Sequence, residues 1–137
     1  MSELLLKSQN SSAAAQLICD TTTYYSSGIH CAYYSCIQFM KHTLYEKKGF
    51  DESLLDAEQE FSGKSIHVFL FQYFANYFME EIDYEFSKSF REKCFALMRH
   101  RTSADYTQKK IDQTKLQAAI SLSNFINKTV LNRVKVD

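Results

Sequence analysis

Proline and tryptophan are absent from this 137-residue chain, and glycine occurs only at Gly28, Gly49 and Gly63. A β-rich domain of this length reverses direction many times and needs turn formers at each reversal, so this scarcity excludes a sandwich or a barrel. It also excludes a glycine-rich phosphate loop. Long apolar runs are missing as well. The most apolar stretch, 66–79, is interrupted by Gln72 and Asn76, and a bilayer span needs about 20 apolar residues. No CxxC, HExxH or Glu-x-x-His is present, so neither a zinc site nor a carboxylate-bridged metal pair is expected, and no cofactor is implied. The cysteines, Cys19, Cys31, Cys36 and Cys94, read as reduced structural thiols. With an opening Met-Ser-Glu that lacks the basic-then-apolar pattern of a secretion signal, they suggest a cytoplasmic protein without membrane association.

What remains is a chain rich in Phe and Tyr with helical periodicity nearly throughout. Five helices are expected, at about 3–20, 23–48, 64–80, 83–101 and 112–135. Serines at 8–12 weaken the first. Ile29, Tyr33, Cys36, Ile37, Met40 and Leu44 stripe the second, which stops at Gly49. Gly28 near its start allows close helix approach. Residues 50–63 form an acidic connection with room for a short helix docked by Leu54, Leu55 and Phe61. The wide apolar face of 64–80 suggests a central helix. A polar link, 102–111, precedes the last helix. The expected architecture is a single all-α domain over 1–137, an antiparallel up-and-down bundle of four to five helices.

Net charge is zero, yet its distribution is lopsided. Residues 1–85 hold five Lys/Arg and twelve Asp/Glu, while 86–137 hold eleven and four. The basic half suits a polyanion, or an acidic face on another copy of the chain; a solvated surface with no such role is the plain alternative.

One residue breaks the pattern. Phe86, Phe90, Cys94, Leu97 and Met98 form an apolar stripe, and continuing its spacing arrives at Arg101. A charge on an apolar face is costly unless paired or put to use. Asp105 follows four residues on, with Tyr106 beside it. Two roles fit: an interior Arg–Asp clamp tying this helix end to Tyr33 or Tyr34, or a guanidinium held by a carboxylate and offered to phosphate. His100 lies between Arg99 and Arg101, cations that favour its neutral form and make it a candidate base. His30, His42 and His67 are dispersed along the chain and read as surface or hydrogen-bonded residues.

The segment 24–35, with its Ala32-Tyr33-Tyr34, and the segment 97–106, with its Arg101-Thr102-Ser103-Ala104-Asp105-Tyr106, resemble the HEPN family, the nucleotide-binding domain of higher eukaryotes and prokaryotes. The final helix, with Ala118-Ala119 and Phe125-Ile126, is similar to the family's usual ending. The resemblance implies an antiparallel helical bundle that commonly dimerises. Its members are metal-independent ribonucleases of toxin–antitoxin, defence or RNA-processing systems, or non-catalytic partners of a small nucleotidyltransferase. Active members carry Arg-x4-6-His, paired across the dimer. Here Arg101 matches the arginine, but Tyr106, Thr107 and Gln108 stand where the histidine would follow. The resemblance therefore implies a homodimeric module that binds nucleotide or RNA without cleaving it, through Arg99, Arg101, Asp105, Tyr106, Tyr33 and Tyr34. An endoribonuclease using Arg101 with His100, or with a histidine from the partner chain, and a purely structural dimeric partner are the alternatives.

Overall fold

The computed structural model describes residues 2–21, 24–106 and 110–137, the side chain of Tyr106 excepted. Six helices lie among them: α1 (Glu3–Thr21), α2 (Tyr25–Lys47), α3 (Glu52–Ser62), α4 (Ile66–Glu81), α5 (Tyr84–Tyr106) and α6 (Gln113–Arg133), with no strand among the described residues. The all-α bundle expected from composition is therefore present. Several of its helix starts carry side-chain caps: Asp51 accepts from Leu54 N, Ser65 from Val68 N and Asp112 from Lys115 N, each satisfying a donor that the first turn leaves open.

The connection 50–63 contains a full helix, α3, closed by Gly63 at φ 69°, a left-handed cap open to glycine at no steric cost. The polar link begins later than its composition suggests, because α5 runs on through Thr102 to Tyr106. That extension puts Arg101 and Asp105 one turn apart on a continuous helix. The serines of α1 do not break it. Ser8 donates to Ser35 O at 2.8 Å and Ser11 donates to Gln38 Oε1 at 3.0 Å, so a run with low helix propensity becomes a polar seam against α2.

The central helix is α2, not α4. It packs on α1, α4, α5 and α6 and buries Ile29, Tyr33, Cys36, Ile37, Met40 and Leu44. The apolar face of α4 splits. Phe71, Phe74 and Phe78 enter the core, while Phe69, Tyr73 and Tyr77 lie half-buried at its edge. Gly28 lets α2 approach α6: a Cβ there would meet Leu116 Cδ2 at 2.7 Å. Ser2 meets His42 while Ile18 lies against Gly28, so α1 and α2 are antiparallel; Phe71 meets Phe95 while Phe78 meets Phe86, so α4 and α5 are too. The α3 crossover returns the chain so that α4 runs parallel to α2, with Tyr33 on His67 and Lys48 over Tyr77. No helix among the described residues is long and apolar enough to cross a membrane.

Candidate functional site

Arg101 reaches from the last turns of α5 onto α2. Its Nε lies 3.1 Å from Asp105 Oδ2, with the two side chains 19% and 23% exposed. The contact is an ion pair without hydrogen-bond alignment, since Nε is buried and has no hydrogen-bond acceptor. The guanidinium donates to Tyr34 Oη at 3.4 Å and sits 5.3 and 5.7 Å from the centroids of Tyr33 and Tyr34, within cation–π range. His30 Nδ1 is 3.5 Å from the same Asp105 oxygen, and its ring lies 4.5 Å from Tyr34. On the far side Tyr33 Oη is 2.8 Å from His67 Nδ1. Burial, then the charges of Arg101 and Lys41, pulls the His67 imidazole down to about 4, so it is neutral at neutral pH. Burial likewise drives the Tyr33 hydroxyl well above its ordinary range.

Four of the residues picked out by spacing thus converge: Arg101, Asp105, Tyr33 and Tyr34. Two more belong with them, His30 and His67. His30 carried a signal, because it stands four residues before Tyr34 on one helix face. His67 carried none, because only the α2/α4 packing brings it to Tyr33. The Tyr106 side chain lies outside the described residues. Arg99 and His100 do not join the cluster. At about 100° per residue their side chains leave α5 in other directions.

Those directions meet open space. The small Ala75 and Ser87 let α4 and α5 pack closely, with Ser87 Oγ donating to Ala75 O at 2.6 Å. Outside that seam the two helices leave a groove of about 430 Å³ that holds Lys88, Arg91 and Arg99 together with Met79, Tyr84 and Phe95. The Arg91 guanidinium lies 5.7 Å over the Phe95 ring. Among the described residues none of these three cations is in an ion pair, and Glu92 is the one carboxylate in the lining. Arg99 also borders a second hollow, of about 320 Å³, with His100, Ser103 and Lys115. The His100 imidazole is pushed below its ordinary range by burial first, then by Arg99 and Lys115. The basic face of α5 is therefore continuous through Arg99. A third hollow, of about 360 Å³, lies by His30 and Cys31 and presents the Asp105 carboxylate, which disfavours an anion there.

The chemistry on offer is electrostatic. No cluster among the described residues could hold a metal ion. The buried thiols Cys36 and Cys94 are pushed up by desolvation, far from a reactive thiolate. No family model, no curated protein and no solved structure matches this chain.

Proposed function

We propose that this chain is a HEPN-like helical module that binds the phosphate of a nucleotide or RNA without cleaving it. The observation that carries the reading is the α4–α5 groove, where Lys88, Arg91 and Arg99 have no ion pair among the described residues and lie beside exposed Tyr84 and the Phe95 ring. Unpaired cations favour phosphate oxygens, and aromatic faces accept stacked bases. The Arg101 charge is already met by Asp105. Arg101 therefore serves as the clamp that holds α5 on α2 and sets the direction in which Arg99 and His100 point. The resemblance of 24–35 and 97–106 to HEPN proteins adds a role in a toxin–antitoxin or defence-type system, with a nucleotidyltransferase as a partner class.

The test is binding of a fluorescent single-stranded RNA at 50 and 200 mM salt, with RNA length followed on a gel in EDTA. Arg91→Ala with Arg99→Ala is expected to weaken binding about tenfold or more at low salt. It should also reduce the salt slope by about 1.4, the contribution of two phosphate contacts to a single strand. Unchanged affinity and slope in the folded double variant would refute the groove.

A second reading, metal-independent RNA cleavage, is favoured by one observation: two histidines, His30 and His67, flank the Arg101–Asp105 pair. With its imidazole pulled down to about 4, His67 is neutral but a weak base at neutral pH. RNA shortened in EDTA by the wild type and left intact by both His67→Ala and His30→Ala would establish it. RNA shortened equally by all three would remove these histidines from the reaction, and RNA left intact by the wild type would remove the reading itself.

A further inference from the structure

Helix α3 is built to be a helix and then left almost bare. Asp51 caps its start and Gly63 its end. Only Leu55, at 2% exposure, is buried, while Gln59 and Ser62 are half-buried and every other residue faces solvent. Leu54, Ala57 and Phe61 fall at i, i+3 and i+7, on one outward stripe. Phe61 is 93% exposed and Leu54 41%. Glu58 borders this stripe on one side, Asp56 and Glu60 on the other, and 51–60 contains no cation. An apolar stripe flanked by carboxylates, one on one side and two on the other, has the shape of a docking helix, and its partner must be basic with apolar pockets.

The chain carries such a surface. The α4–α5 groove places Lys88, Arg91 and Arg99 beside Met79, Tyr84 and Phe95. Lys88 to Arg99 covers eleven steps of helix, about 16 Å at 1.5 Å each, and the eleven residues of α3 span about the same. Within one chain α3 packs on the Tyr73 side of α4, where Phe50, just before α3, meets the Tyr73 ring at 5.6 Å. The groove is instead lined by Gln72, Asn76 and Met79, so α3 cannot fill it without leaving its seat.

We propose that α3 of one copy occupies the α4–α5 groove of a second copy, reciprocally, to form a two-fold dimer. Phe61 and Leu54 bury against Met79, Tyr84 and Phe95, while Glu58 and Glu60 face Lys88, Arg91 and Arg99. The arrangement is isologous, so each contact occurs twice and the pairing closes on itself. It stands whether or not the groove also binds phosphate. If it does, the acidic helix and the polyanion compete for one set of cations.

The experiment is sedimentation equilibrium on three full-length proteins, with circular dichroism confirming each fold. They are the wild type, a Leu54→Ser/Phe61→Ser variant and an Arg91→Glu/Arg99→Glu variant. The wild type is expected to dimerise, more weakly as salt rises. Each variant should dissociate about tenfold more readily or more. Mixing the two variants leaves one unaltered contact and one that is defective on both sides, so the mixture should stay about as dissociated as the variants alone. A monomeric wild type at 100 μM, wild-type dimerisation in either variant, or a mixture of the variants that dimerises as tightly as the wild type would each overturn the proposal. Adding single-stranded RNA separates the two readings. RNA that binds the Leu54→Ser/Phe61→Ser monomer and dissociates the wild-type dimer supports the competition. Absence of RNA binding to that monomer removes the phosphate reading and leaves the dimer intact.

Discussion

Replacing Arg101 by methionine removes a charge while keeping most of an aliphatic stem of similar length. Three contacts go with it. The ion pair to Asp105 is partly buried on both sides, 19% and 23% exposed, which places it between a surface pair of about 0–1 kcal/mol and a broken buried pair of about 3–5 kcal/mol. Two ring contacts, to Tyr33 and Tyr34, add about 0.5–1 kcal/mol each. The donation to Tyr34 at 3.4 Å is long and contributes little. Retained packing by the methionine stem offsets part of the loss, so the expected net cost is about 2–3 kcal/mol. In a domain of this size that lowers the melting temperature by about 6–10 °C. Urea unfolding of Arg101→Met, Asp105→Asn and the double variant measures it directly. The coupling energy between the two positions should be about 1–2 kcal/mol, with RNA affinity at 50 mM salt held within about threefold of wild type. Strict additivity, or single variants within about 0.5 kcal/mol of wild type, would show that Arg101 is not a clamp. A stable Arg101→Met protein that no longer bound RNA would return the phosphate contact to Arg101 itself.

Other outcomes follow from the same geometry. His67 has an imidazole lowered to about 4 from an ordinary value near 6.5, so the unfolded chain binds more protons between those values. Its contribution to stability is full above pH 6.5 and is lost as pH falls toward 4. After allowance for solvent screening this amounts to about 1–2 kcal/mol, so the wild type should lose more melting temperature between pH 7 and 4.5 than His67→Gln; parallel losses would refute it. Gly28→Ala gains about 1 kcal/mol of helix propensity. It also forces a Cβ to within 2.7–2.8 Å of the buried Leu116 side chain, and overpacking costs about 1–3 kcal/mol. A net loss of up to about 2 kcal/mol in urea unfolding is expected, and a clear gain would show that α2 and α6 move apart freely.

Much of the fold was legible because helices are local. Periodic stripes on 23–48 and 83–101, together with the scarcity of turn residues, were enough to identify the bundle. The cases that differed all involve packing. Ser8 to Ser12 have poor helix propensity, yet Ser35 and Gln38 of α2 supply partners that propensity scales do not contain. The apolar breadth of α4 suggested a central helix, but aromatic rings also cover edges, as Phe50 on Tyr73 does here. The expected end of α5 at Arg101 rests on the polar composition of 102–111. The contact of His30 with Asp105, which brings α2 onto that turn, is invisible along the chain.

The candidate site divides in the same way. The sequence alone established that a cation interrupts an apolar stripe, that a carboxylate follows one turn later, and that positive charge gathers after residue 85. Those are properties of residue order and of the 100° step of a helix. It could not establish which of three successive residues, Arg99, His100 and Arg101, would be neutralised. Their side chains leave the helix in three directions, and each charge is decided by what the other helices place there. For Arg101 it is α2, with its tyrosines and His30, beside Asp105 from the same helix. For Arg99 it is the open space between α4 and α5. For His100 it is Lys115 on α6. A side chain's direction is local, but its partner is tertiary, and the partner determines whether a charge is spent on holding the fold or left free for a ligand.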